Sequence, residues 1–423
     1  MLKRIKVGEL IRGGKAHSQT GPFGTQLKAS EYVEEGIPVI NVRNIGFGDV
    51  RKEQLEYLDD EKAAQLKSHL LKKDDIVFGR KGAVERHSLI GENETGWIQG
   101  SDCIRLRFLT DEYNPTFISF FFRTLEHQQW MINLGSFGAT MGSLNQEIIS
   151  KIEIPDVPRF IQDKIASILS AYDELLENNN QRISLLEQMT EEIYKEWFVR
   201  LRFPGYENTP VVDGVPEGWQ KTNLGNVTSM VNRGISPAYD DEGNSYVLNQ
   251  RCIRDNKIDY SLSRCQSKRI PKDRLLRLGD IVVNSTGEGT LGRVAQVWEQ
   301  LTNFSVDSHV TIVRPVSATD AEFLGINMNL GQKLIENMAL GSTGQTELNR
   351  TDLARLQVLY PDRATLTSFS ELVNPIITEI QVLVKKNNNL KQTRDLLLPR
   401  LISGKLSVEH LLKQKEQQLQ LAI

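Results

Sequence analysis

Cysteine is scarce in this 423-residue chain: Cys103, Cys252 and Cys265 are odd in number and lack metal-ligand spacing. That argues against a structural metal site or a disulfide framework and fits a reducing cytoplasm. No apolar run approaches the roughly 20 residues that a membrane span requires. The start, Met1-Leu2-Lys3-Arg4-Ile5-Lys6, meets Gly8 and Glu9 before any apolar core of a signal peptide, so a soluble, cytoplasmic protein is expected. An excess of one charge is missing too: 51 Lys and Arg stand against 54 Asp and Glu, a net charge of −3, so the chain is not basic all over. The six histidines do not cluster.

Catalytic motifs are equally thin. Gly287-Glu288-Gly289-Thr290-Leu291-Gly292 satisfies a dinucleotide pattern, with Asp307 at the expected distance, but Arg293 through Trp298 alternates like a strand and opens no helix, so the stretch reads as a hairpin turn. Gly8 through Lys15 lacks the Lys and Ser/Thr of a phosphate loop. Asn114-Pro115-Thr116-Phe117 is similar to the tetrapeptide of amino-methyltransferases, with Thr where a second Pro belongs and no cofactor glycine motif beside it. No nucleophile, base or metal set emerges, and the chain reads as a recogniser whose chemistry belongs to a partner.

What is present is repetition. Gly135-Ser136-Phe137-Gly138-Ala139-Thr140 returns 206 residues later as Gly341-Ser342-Thr343-Gly344-Gln345-Thr346, and other landmarks recur in the same order, as a duplicated domain gives. Val39 to Ile45 matches Val247 to Ile253, Asp75 to Phe78 matches Asp280 to Val283, and Ile104 to Arg107 matches Val310 to Arg314. These runs read as strands, with a Gly turn and a basic residue, Arg86 or Arg293, after the second.

Behind each β-rich stretch the period changes. Residues 159–199 contain neither Gly nor Pro, and Ile161, Ile165, Ile168, Tyr172, Leu175, Ile183, Leu186, Ile193 and Trp197 fall at three-four spacing, a long helix with a packing seam. Val373, Ile376, Ile380, Leu383, Asn387, Leu390, Arg394 and Leu397 repeat this as a heptad that Pro399 is expected to end. Pro375 is expected to kink the first part or separate it. One amide per helix, Asn179 and Asn387, sits on the seam, where a buried Asn fixes register at some loss of stability. The expected class is α+β: two β-rich globular domains, 1–157 and 213–363, each followed by a helical spacer region, 158–212 and 364–423. Chain connectivity makes the helices an antiparallel coiled coil and the whole a pseudo-two-fold dumbbell. Ile165, Ile168, Tyr172, Asn179, Ile183, Leu186, Ile380, Leu383, Asn387 and Leu390 are its spacer residues.

Charge is placed unevenly. Residues 159–200 hold eight acidic and five basic side chains, while the β-rich stretches bunch cations at Lys72-Lys73, Arg80-Lys81, Arg86-His87, Arg105 with Arg107, and Arg264 through Arg277. Loop-tip cations contact phosphates, and Arg also reads guanine; solvated strand ends are the plainer alternative for any one cluster. Recurrence beside the same turn favours function. The candidate DNA-contacting residues are Arg80, Lys81, Arg86 and His87 with their counterparts Asn284, Ser285, Thr286 and Arg293. Arg43 and Arg251 join them, with a place inside the sheet as the alternative for each. Thr140 and Thr346 are divided between a position near DNA and a purely structural turn.

Three segments carry a family resemblance: Phe160-Ile161-Gln162-Asp163-Lys164-Ile165-Ala166-Ser167-Ile168-Leu169-Ser170, Glu196-Trp197-Phe198-Val199, and Leu398-Pro399-Arg400-Leu401-Ile402-Ser403-Gly404. Together with the repeated Gly-Ser-x-Gly-x-Thr segments and Ile154-Pro155 and Tyr360-Pro361, the chain resembles the specificity subunits of type I restriction-modification systems along essentially its whole length. Arg86 follows Glu85 where that family often has Gly, and Tyr360 replaces its usual aliphatic residue. The resemblance implies two target recognition domains that each read one half of a split site in double-stranded DNA, with the helices as a ruler. It implies docking of two modification subunits that methylate adenine with S-adenosylmethionine, and restriction subunits that use ATP and Mg. This chain is then non-catalytic and holds no cofactor. The rival readings are an orphan DNA-binding or protein-binding scaffold and a stand-alone adenine methyltransferase.

Overall fold

The apolar β-branched runs form the centre of two similar sheets. The computed structural model describes residues 3–24, 26–135, 142–340 and 347–408. It divides into two compact units, one of Met1–Glu177 with Asn388–Ile423 and one of Asn178–Asn387. In the first unit, the strands Ala16–Thr20, Cys103–Phe108, Ile76–Gly79, His87–Leu89 and Phe47–Gly48 lie side by side in that order. In the second, Thr228–Arg233, Val310–Pro315, Ile281–Asn284 and Val294–Gln296 repeat the first four positions. Beside each lies a three-stranded sheet: Glu56–Leu58, Ile37–Ile40 and Ile98–Gln99, matched by Arg264–Gln266, Ser245–Leu248 and Phe304–Val306. Both combine one antiparallel and one parallel pairing. The repeat seen in the sequence is therefore a repeat of topology.

An ion pair braces each main sheet at the same place. Arg107 donates from Nε and Nη2 to Asp75 at 2.6 Å each, and Arg314 does so to Asp280 at 2.8 and 2.7 Å. The Lys72 and Arg277 backbone amides complete the two carboxylates. Arg105 is buried as well, its guanidinium taken by Gln19 and by the Ser68 and Leu70 carbonyls. The Arg105-Arg107 cluster therefore points inward and is not a phosphate patch.

The first long helix spans Arg159–Tyr194, about 54 Å at 1.5 Å per residue, and a π turn, Lys195–Val199, prolongs it. The second spans Arg363–Ile402. Pro375 neither separates it nor ends it, and Pro399 lies within its last turn. An interior Pro costs roughly 3 kcal/mol, and the neighbouring Val373 and Ile377 are buried in the second unit's core, which offsets that cost. Within each unit the helices run antiparallel. In the first, Asp173 takes Arg394 at 2.6 Å, and Ile165 and Leu169 share a core with Leu398 and Leu401. In the second, Asn179 donates to Asn387 at 2.8 Å and Arg182 pairs with Glu379. Asn387 passes its own N–H to Asn180, so the seam amides, 8 % and 5 % exposed, are hydrogen-bonded to each other. Ile165, Ile183 and Leu383 are buried, and Ile168, Tyr172, Leu186, Ile380 and Leu390 are half-buried. Leu175 is 52 % exposed and Leu176 takes its place on the seam, because a heptad beginning at Ile165 and Leu169 reaches 176 before 179.

The β-rich reading omitted several helices. Phe117, Phe120, Phe121 and Phe122 face the first core from the helix Pro115–Phe122, whose start is the tetrapeptide noted above. Asn114 caps it by accepting from the Phe117 amide, and Pro115 takes the first position, where no N–H is needed. In the second unit, Ala318–Leu330 places Phe323 and Leu324 in the core beside Tyr194, Phe198 and Phe369.

Candidate nucleic-acid interface

In each unit the turn that follows the central strand is held by the same backbone bonds. In the first, the Arg80 amide donates to Asp102 at 2.8 Å and the Arg80 carbonyl accepts from Leu144 at 2.8 Å. In the second, Ser285 does both with His309 and Leu348, again at 2.8 Å. Lys81 bridges to Ser143, and Thr286 to Glu347. The Gly21 amide donates to Cys103 at 2.9 Å and that of Gly234 to Val310 at 3.0 Å. Neither glycine can carry a side chain, since a Cβ would run into the carbonyl of Gly100 or of Val306. Two equivalent frames thus hold non-equivalent side chains.

The first frame is cationic and aromatic. The Arg80 guanidinium lies 5.1 Å over the ring of Phe23, which is 53 % exposed, and Arg86 lies 5.3 Å over the half-exposed Phe47. Lys81 approaches Asp102 at 3.6 Å and Arg43 pairs with Glu56 at 2.7 Å, both at the surface, where such pairs contribute about 0–1 kcal/mol. A phosphate competes readily with contacts that weak.

The second frame carries uncharged side chains, Ser285 and Thr286, at the positions of Arg80 and Lys81. Thr286 Oγ1 is 2.8 Å from His309 Nδ1 and is also bonded by Gln250. Arg293 gives Nη2 to the Gly289 carbonyl at 2.8 Å, and the glycine-rich stretch is a hairpin turn with positive φ at Gly287, Gly289 and Gly292. Arg233 pairs with Glu347 at 2.6 Å. Further out, Arg264 stacks 3.6 Å over the exposed Tyr239, and Arg251 is exposed. Burial holds the Asp307 carboxyl above its usual range, with the His309 amide opposing.

Comparison with known proteins shows what the chain is similar to. Residues 24–188 match the type I restriction modification DNA specificity domain. The chain is similar to type I restriction specificity subunits. It is 24 % identical over 309 residues to the type I restriction enzyme MjaIX specificity subunit of Methanocaldococcus jannaschii, covering 70 % of each chain. It is 20 % identical over 395 residues to the putative type I restriction enzyme MjaX specificity subunit of the same organism, covering 88 % of each. The crystal structure of a type-I restriction-modification system S subunit from M. genitalium shares the fold, with a TM-score of 0.60 at 15 % identity over 95 % of this chain and 96 % of that one.

Measured against this relationship, the sequence-predicted residues divide into three groups. Arg43, Arg80, Lys81, Arg86, Arg251, Thr286 and Arg293 retain some exposure on or beside the two turns. Three others are corrected by their burial. His87 is fully enclosed, its Nε2 2.8 Å from Ser119 Oγ, with burial and then Arg123 driving its pKa well below the usual value. Asn284 gives Nδ2 to the Gln250 and Thr290 carbonyls, and Ser285 Oγ meets Thr311 at 2.6 Å. Asn284 and Ser285 brace the second turn from inside, and His87 ties its strand to the helix Pro115–Phe122. Thr140 and Thr346 lie outside the described residues. Sequence reading missed Phe23, Phe47, Gln250 and His309. For the two phenylalanines a signal existed: Gly21-Pro22-Phe23-Gly24 and Gly46-Phe47-Gly48 set an aromatic among turn residues, where no core position is expected. The other two gave none.

Proposed function

We infer that this chain reads DNA sequence for a type I restriction-modification system, each unit presenting one turn to one half of a split site. The observation that carries this is the pair of identical backbone frames bearing different polar side chains. A shared scaffold fixes the approach to the duplex, and exchangeable side chains set the word that is read. The chain acts without catalytic groups of its own. Two modification subunits supply adenine methylation with S-adenosylmethionine, and restriction subunits supply ATP- and Mg-dependent cleavage. The helices, locked in register by Asn179 and Asn387, set the number of unread base pairs between the words, since half-sites must match the 34–36 Å repeat of B-DNA.

The test is selection from duplexes with two randomised words at varied spacing, using the full chain alone and assembled with modification subunits of its own system, at fixed salt. Two different words at one spacing are expected. Insertion of one heptad into each helix, beside Asn179 and Asn387, should change the spacing and leave both words unaltered. Binding without preference for any word would overturn the reading.

A further inference from the structure

In the first frame, among the described residues, the Arg80 guanidinium has no hydrogen-bonding or ion-pair partner. Arg105 and Arg107 are held in the interior, while Arg43 and Lys81 already have carboxylate partners at the surface, Glu56 and Asp102, in weak pairs. Arg86 keeps its Nε buried, 3.8 Å from Glu85. Arg80 differs. Among the described residues no carboxylate or carbonyl takes its guanidinium, and its contact is the face of Phe23. Its backbone is fixed on both sides, by Asp102 through the amide and by Leu144 through the carbonyl.

We propose that Arg80, placed over the ring of Phe23, is the guanine-reading residue of the first unit. A guanidinium stacked on a ring keeps its planar edge free, and that edge matches the O6 and N7 acceptors of guanine in the major groove. Stacking removes rotamers before DNA arrives, which lowers the entropy lost on binding. Phe23 is 53 % exposed, so its ring and the guanidinium over it both stand at the surface. The same backbone position in the second unit is Ser285, buried and bonded to Thr311, so the second word has no counterpart of this contact. The assignment rests on the DNA-reading function inferred above.

The experiment compares the wild-type full chain with Arg80→Ala, Arg80→Lys and Phe23→Ala, each assembled with modification subunits, on the randomised two-word duplex pool and at several salt concentrations. For Arg80→Ala, the preference for guanine at one position of one word should fall by roughly 5- to 150-fold, the other word being unchanged. The unchanged word also certifies folding. Arg80→Lys keeps the charge but loses the planar fork, so it should lose most of that preference while retaining the salt dependence. Phe23→Ala should weaken the preference at the same position. If Arg80→Ala instead lowers affinity equally for all sequences and reduces the salt slope by about one, Arg80 contacts a phosphate and the assignment fails. It also fails if the guanine preference survives. A wild-type chain with no preference in either word would instead sink the functional reading, which is a separate outcome.

Discussion

The first unit offers Arg80, Lys81, Arg86 and two exposed phenylalanines on its turn; the second offers Thr286, Gln250, His309 and an arginine tied to its own backbone. Beneath them the strand order, the buried Arg–Asp brace and the amide bonds to the turn are the same. Duplication has preserved what fixes the backbone and released what faces outward. Groups that satisfy buried partners are expensive to change, whereas exposed groups alter stability by about 0.5 kcal/mol or less.

The largest test of that contrast is the shared brace. Asp75→Ala and Asp280→Ala each strand a mostly buried guanidinium, and each should cost its unit about 3–5 kcal/mol, read by denaturant unfolding with hydrogen exchange to locate the loss. A small effect in one unit would show that the two braces are not equivalent. Asn179→Leu should cost roughly 1–3 kcal/mol, because the Asn387 Oδ1 loses its donor in a buried seam. Replacing both by Leu should restore stability while loosening register, visible as a broader range of accepted spacings.

Acid separates the units further. Burial holds His127 neutral with a pKa of about 3, and His87 is depressed likewise. The unfolded chain protonates near 6.5, so stability from these groups is complete above that pH and is lost as pH falls; for His127 the loss runs toward pH 3 and is roughly 1 kcal/mol at pH 5.5. In the second unit burial raises the Asp307 and Glu322 pKa values. Raised carboxyls work the other way, adding stability as pH falls through them. Hydrogen exchange at pH 7.5 and 5.5 should show protection falling in the first unit but not in the second. The smallest stability effect belongs to Thr286→Lys with His309→Asp, which imports the first unit's surface pair. It should shift the second word in the duplex selection while changing stability by about 0.5 kcal/mol or less.

Much of this was legible in the chain. Recurring β-branched runs marked the central strands, and heptad spacing marked both helices and the amides that meet between them. Proline was over-read: Pro375 and Pro399 both sit inside a helix, because packing of Val373, Ile377 and Leu401 outweighs the missing amides. Charge was over-read too. Arg105, Arg107 and His87 look like surface candidates in a string of letters, yet alternation along a strand sends them inward, where carbonyls, a carboxylate and a hydroxyl receive them.

By itself the sequence determined the duplication, the two kinds of secondary structure and the register of the helices, since each depends on periodicity, which is local and additive along the chain. Only the tertiary structure decided which polar residues are free. That depends on partners distant in sequence: Asp75 for Arg107, Asp102 for Lys81, Phe23 for Arg80. Whether a charge meets a carboxylate, a ring or open solvent is set by the folded surroundings and not by its neighbours in the chain.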